Sequence, residues 1–182
     1  MPHIPSAPTA ELSILPFADA MARSGQSGGY DAEKWLYVPD FYTEYRYLLG
    51  TRGEKPLVCI GINPSTAEPD RLNVYAQRAT RPNDMERACN EALHRANMEA
   101  FDYILSLSEQ PAVWAAWGNI IEQRAYLKDC LADMIAIGER HGAQWYTAGR
   151  RSVKGHPHHP LYLKATSPLD AFDIRAYCAE CL

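Results

Sequence analysis

Two short stretches of this chain carry residues able to do chemistry. The first is Gly61-Ile62-Asn63-Pro64-Ser65-Thr66, directly after the apolar run Leu57-Val58-Cys59-Ile60. A β-branched run ending in Gly reads as a buried strand that delivers its last residues to the carboxyl edge of a sheet, where open α/β folds bind ligands. Asn63 is therefore a candidate site residue, and its amide can orient a water but has no basic character at neutral pH. The second stretch is Gly155-His156-Pro157-His158-His159-Pro160-Leu161-Tyr162. Its prolines exclude a helix or a central strand, so it reads as a stiff loop presenting imidazoles. A histidine can stabilise charge developing on a departing group. Two loops of this kind, each after a strand, predict one composite site, with Trp117-Gly118 at its floor.

The elements that must hold these loops follow from periodicity and punctuation. Residues 1–30, rich in Pro, Ser, Gly and Ala, read as an arm, with one weak amphipathic stretch from Glu11 to Ala22. Residues 31–182 read as a single α/β domain. Tyr42 to Leu49 alternates aromatic and polar residues, and the turn from Gly50 to Pro56 predicts an antiparallel edge hairpin with Leu57–Ile62. Long helices are expected over Asp84–Leu107 and Ile120–His141, a buried strand over Ala112–Trp117, another over Ala143–Ala148, and a short helix over Phe172–Cys181. The alternation predicts a three-layer α/β sandwich with a mostly parallel central sheet. One interval resists it: only Asn63 to Arg71 separates the strand at 57–62 from a candidate strand at Leu72–Tyr75, short for a parallel crossover. Either that strand pairs differently, or the crossover is shortened, with chain missing between Asp70 and Leu72.

Composition bounds the function. The chain has 182 residues, 47% hydrophobic, enough for one core, and its formal charge of −4 argues against tight nonspecific binding of nucleic acid. Arg78, Arg81, Arg150, Arg151 and Lys154 nevertheless lie near the two loops and suggest recognition of one or two phosphates. Arg78 reads either as a phosphate clamp, with Thr80 adding a hydroxyl, or as a surface ion pair. No run is long enough to span a membrane and no secretory start is evident, so a cytoplasmic protein is expected. Five cysteines without paired spacing read as reduced thiols, and the Cys178/Cys181 pair as helix composition. His156, His158 and His159 could be read as metal ligands, but they lack helical spacing and a carboxylate companion, so neither metal nor cofactor is expected. Trp114 and Trp117 read also as core aromatics.

The segments Tyr45-Arg46-Tyr47-Leu48-Leu49, Gly61 to Ala67, Arg78-Ala79-Thr80, Ala116-Trp117-Gly118 and Gly155 to Tyr162 resemble, in order, the RYxL, GxNPSTA, RAT, AWG and GHPxHPLY motifs of a bacterial and phage family of unknown function. Members of that family usually carry an additional acidic, helical segment and a strand between the second and third motifs; this chain lacks them. More distantly, the Gly61-Ile62-Asn63-Pro64 element resembles the first motif of the mismatch-specific branch of the uracil-DNA glycosylases. The His-Pro loop is similar to a second motif of that superfamily. The resemblance implies a uracil-DNA glycosylase-like fold. It also implies that Asn63 positions the water attacking the sugar's anomeric carbon while a loop histidine stabilises the departing base. His156 matches by its following proline and His159 by the Pro160-Leu161 after it. The substrate would be a nucleotide, a nucleobase-bearing single strand or a flipped base, with Tyr75 and Tyr162 as stacking surfaces. Gly61, Pro64, Ser65, Thr66, Arg78, Thr80, Trp117 and Gly118 would complete the pocket. A noncatalytic nucleotide-binding or nucleic-acid-binding module of the same fold is the other reading. Glu68 and Asp70 are the carboxylates nearest Asn63 in sequence.

Overall fold

The structure, a computed structural model, describes residues 12–26, 30–42, 44–63, 72–79 and 81–182. A five-stranded mixed sheet forms the centre. Its strands are β3 (Leu57–Gly61), β4 (Leu72–Asn73), β5 (Ala112–Ala115), β6 (Gln144–Ala148) and β7 (Leu169–Ala171), in the order β4-β3-β5-β6-β7. The first three pairings are parallel and β6–β7 is antiparallel. A separate two-stranded antiparallel sheet joins β1 (Trp35–Val38) to β2 (Leu48–Thr51).

This arrangement corrects the expected edge hairpin. Leu57–Gly61 does not pair with the Tyr42–Leu49 stretch; it lies between β4 and β5. The physical reason is burial on both faces: Val58, Cys59 and Ile60 are all buried, which suits an interior parallel strand. The aromatic residues of the earlier stretch serve another partner, since Tyr47 N–H donates to Val38 O at 2.8 Å and Tyr45 bridges Gln77. Residues 52–56 thus carry the chain from one sheet to the other. The mixed character of the main sheet comes from β7, a strand with no sequence signal of its own.

Helices α1 (Phe17–Arg23), α2 (Glu91–Ser106), α3 (Ala125–Arg140) and α4 (Ile174–Cys181) complete the described elements. α2 presents Leu93, Ala96, Ala100, Phe101 and Leu105 at helical spacing and buries them all. α3 does the same with Leu127, Leu131, Met134 and Ile135. Both crossovers, β4 to β5 and β5 to β6, step the same way across the sheet, so right-handed connection places α2 and α3 on one face. Hydrogen bonds clamp them together: His94 to Asp133 at 2.7 Å and His141 to Asp102 at 2.9 Å. α4 ties to α3 through Lys128 Nζ–H donating to Cys181 O and Arg175 to Glu139. α1 docks on α2, with Phe17 and Ala20 buried. The described helices therefore contact one another in series. Residues 64–71, which join β3 to β4, lie outside the described part.

Both long helices start later than periodicity suggests. Asn90 caps α2 by accepting from Leu93 N–H at 3.1 Å. The backbone before it is spent on tertiary hydrogen bonds: Arg124 donates to the carbonyls of Asn83, Met85 and Glu86, and Tyr126 Oη also donates to Glu86 O. Arg124 itself is extended, with φ −134° and ψ 133°, which separates a 3-10 turn at Gly118–Glu122 from α3.

Candidate functional site

β3 is the switch point of the sheet. Its outgoing chain turns toward β4 on one side, and the chain leaving β5 turns toward β6 on the other, which opens a crevice beyond the carboxyl ends of β3 and β5. Gly61 closes β3, and Gly118 stands three residues past the end of β5. Both meet the His-Pro loop. Gly118, at φ +64°, donates its N–H to Pro157 O at 2.9 Å. A Cβ at Gly61 would stand 3.0 Å from Asn73 Oδ1 and 3.8 Å from His159 Nε2. The imidazole of His159 thus lies over the end of β3.

His159 is oriented by its own loop. Leu161 N–H donates to His159 Nδ1 at 3.2 Å, and Pro160–Tyr162 form a 3-10 turn that His159 caps. Nδ1 is therefore the acceptor, and in the neutral ring the proton resides on Nε2, the nitrogen beside Gly61. Tyr162 is 76% exposed and stands edge-on to His159, with ring centroids 6.5 Å apart.

Asn63 is held from the other side. Its Nδ2–H donates to Ala79 O at 3.0 Å and Gln77 O at 3.5 Å, while Val74 and Tyr75 donate their N–H groups to Gly61 O and Ile62 O. The 74–79 segment continues β4 along the β3 exit and fixes the amide plane. Oδ1, an acceptor, is thereby turned away from that backbone.

His156 sits elsewhere. It is 1% exposed, and both ring nitrogens are engaged: Nδ1 with Tyr177 Oη at 2.8 Å, Nε2 with Glu122 Oε1 at 3.2 Å. Trp117 Nε1–H donates to the same phenol at 2.9 Å. The indole N–H donates to the phenol oxygen; with a neutral imidazole the phenol O–H then donates to His156 Nδ1 and His156 Nε2–H to the Glu122 carboxylate. The hydrogen bond from Lys154, then that from His156, hold the Glu122 carboxyl below the usual glutamate range. This chain of bonds staples the His loop to β5 and α4. Glu122 and Tyr177 were not singled out by sequence, since nothing in their spacing marks them as partners of His156.

The remaining expected residues divide. Trp117, 1% exposed, is a core aromatic packed on Trp145, Phe172 and Tyr177, so it lies beneath the crevice and its N–H is spent. Tyr75 is fully buried and accepts from Asn90 N–H at 2.8 Å, so it offers no stacking face. Arg78 is 9% exposed and stands beside Arg46. Of the other cations, Lys154 is bound to Glu122 and Arg151 to Glu180, whereas Arg81 and Arg150 are exposed. Pro64, Ser65, Thr66, Glu68, Asp70 and Thr80 lie outside the described residues. Among the described residues no group of three His, Cys, Asp or Glu side chains could hold a metal ion, and no helix is long and apolar enough to cross a membrane. A cavity of about 490 Å³ lies between the hairpin and the sheet, walled by Leu36, Leu48, Cys59, Trp114 and Pro160. It is apolar and contains neither Asn63 nor His159, so the crevice is the better candidate for chemistry.

A model of the family described as "Protein of unknown function (DUF1643)" matches residues 70–161, just over half of the chain, and the chain belongs to that family. The matched region includes Arg78-Ala79-Thr80, Ala116-Trp117-Gly118 and the His-Pro loop through Leu161, and begins after Asn63. No curated protein and no solved structure matches the chain.

Proposed function

We propose that this chain hydrolyses the N-glycosidic bond of a nucleotide or of a single-stranded nucleic acid at the β3/β5 crevice. The observation that carries this reading is His159, whose Nε2–H stands over the end of β3 next to the Asn63 turn. In the reaction a water oxygen attacks the anomeric carbon as the bond from that carbon to the base nitrogen breaks. The bonding pair leaves with the base, and the water's extra proton is released to solvent. Asn63 Oδ1 orients the water by accepting one of its hydrogens. His159 Nε2–H donates to the base as negative charge develops there. Tyr162, exposed beside the imidazole, offers a face on which a base can stack. The resemblance of the Asn63 and His-Pro elements to uracil-DNA glycosylase motifs supports the same assignment, with His159 and not His156 in the charge-stabilising role.

The test is base release, followed by mass spectrometry, from a panel of nucleotides and single-stranded oligonucleotides. Asn63→Ala and His159→Ala are each expected to lower turnover by roughly a hundredfold or more, the scale of losing one transition-state donor or a positioned water, with binding retained. The second reading, a noncatalytic nucleotide-binding module, is favoured by one observation. The carboxylate nearest the His loop among the described residues, Glu122, is committed to Lys154 and His156 and cannot activate water. Nucleotide binding without release of base from any substrate would establish that reading instead.

A further inference from the structure

Arg46 raises a question that the crevice does not answer. The residue is 3% exposed, and its Nε and Nη2 have no hydrogen-bond partner. The Tyr37 ring lies 5.9 Å from the guanidinium carbon, and a hydrogen bond with the Tyr37 side chain offsets part of the effect of burial, but Nε and Nη2 stay unpaired beside it. Among the described residues the charge that acts on it most strongly is a second cation, Arg78. Tyr45 bridges Gln77, Arg46 N–H donates to Ala76 O at 3.0 Å, and Arg78 N–H donates to Glu44 O at 2.8 Å. This antiparallel register puts Arg46 and Arg78 on the same face as diagonal neighbours, a spacing long side chains span easily. Burial, then the positive charge of Arg78, lower the Arg46 guanidinium to about 10. Glu44, across from Arg78, is not among the groups that act on it.

A buried cation with open donors beside another cation is costly unless an anion completes it. We propose that Arg46 and Arg78 form a binding site for a phosphate-type oxyanion. Two guanidinium forks match the geometry of phosphate oxygens, as two ammonium groups would not. The site meets solvent through Arg78, which stays 9% exposed. It adjoins the crevice, because the carbonyls on either side of Arg78, those of Gln77 and Ala79, are the ones that hold Asn63 Nδ2. The phosphate is accordingly that of the nucleotide or strand whose base reaches His159, and only this attribution rests on the proposed function. Arg46, the arginine of the RYxL segment, and Arg78 are the site's two members.

The experiment uses the full chain and four probes: inorganic phosphate, a nucleoside 5′-monophosphate, the corresponding nucleoside and a short single-stranded oligonucleotide. Inorganic phosphate is expected to raise the parent's Tm above that in sodium chloride of equal ionic strength, and the rise should vanish in Arg46→Met and Arg78→Met. The monophosphate should bind at least about tenfold more tightly than the nucleoside, and no more tightly than it in Arg46→Met. Preference for monophosphate over oligonucleotide would assign the site to a terminal phosphate, and the reverse to a backbone diester; both support it. An equal phosphate response in parent and Arg46→Met, or equal binding of monophosphate and nucleoside by the parent, overturns it. Should Arg46→Met fail to fold, Arg46→Lys replaces it: the charge stays, the fork is lost, and an undiminished phosphate response would overturn the proposal. Base release is read separately, so phosphate binding without release leaves the anion site standing and removes only the hydrolase reading.

Discussion

Two histidines three residues apart in one loop have opposite occupations. His156 is enclosed, with Tyr177 and Glu122 on its two nitrogens, while His159 carries its Nε2 to the end of β3. The sequence marks both by their prolines and cannot separate them, because the partner that removes His156 from the crevice sits on α4, 21 residues away in the chain. The separation has a measurable consequence. His156→Ala leaves the Tyr177 hydroxyl and the Glu122 carboxylate without their bonds and opens a void, so it should cost about 2–4 kcal/mol in denaturant unfolding. His159→Ala, at a half-exposed position, should change stability by less than about 0.5 kcal/mol while losing base release. Equal stability of the two variants would remove the structural assignment of His156. The Glu122 link also has a pH sign. Its carboxyl is held below its ordinary value near 4.5, so the stabilisation is present above that value and is lost as pH falls through the lower folded one. Acid should therefore loosen the His loop before the core, visible as earlier amide exchange at residues 152–159 once the pH falls below 4.5.

At the level of elements, two glycines set the approach of strand ends to loop. Gly118 takes φ +64° and bonds to Pro157 O, and a Cβ there would meet only ordinary contacts at 3.9 Å. Gly118→Ala is thus expected to cost about 1 kcal/mol from the left-handed backbone alone. Gly61→Ala differs: its Cβ would press on Asn73 Oδ1 at 3.0 Å and touch the His159 ring. It should lower base release far more than it lowers Tm, and loss of stability alone with activity intact would contradict the placement of His159. The strand before Gly61 and the break at Gly118 were legible because an apolar run and a glycine are local signals. The pairing of Tyr42–Leu49 was not, since its aromatic alternation fits either neighbour and only the doubly buried Val58–Gly61 run decides between them. Arg124 was equally silent. One arginine donating to four carbonyls, three of them ahead of α2, sets the boundaries of both long helices, and no periodicity contains that information.

Taken whole, the molecule is a mostly parallel sheet whose switch point gathers residues from both halves of the chain, and alternation of strands with helices made that class legible. Strand order and the antiparallel β7 were not, because they depend on which edges remain open after the crossovers form. The same core sets the response to base. Tyr47, Tyr75 and Tyr177 are fully buried, and burial raises each phenol above its ordinary value of 10.0. A raised phenol stabilises the folded state fully below that value, and the contribution is lost as pH climbs above it, since only the unfolded chain can ionise. Arg46 acts with the opposite sign, because a guanidinium lowered to about 10 regains stability as it loses its proton. Three phenols outweigh one arginine. Each group contributes a slope of about 1.4 kcal/mol per pH unit, and burial raises the Tyr126 phenol as well, so stability falls steadily above pH 10. Against a typical domain stability of about 5–15 kcal/mol, cooperative alkaline unfolding is expected within a few units of that pH. Tyrosinate absorbance and circular dichroism should change together, and Tyr47→Phe, which gives up one donor bond to Leu15 O at 2.8 Å, should flatten the slope by about 1.4 kcal/mol per unit. Titration of all phenols near pH 10 with the circular dichroism unchanged would show that the three are not sealed in the core.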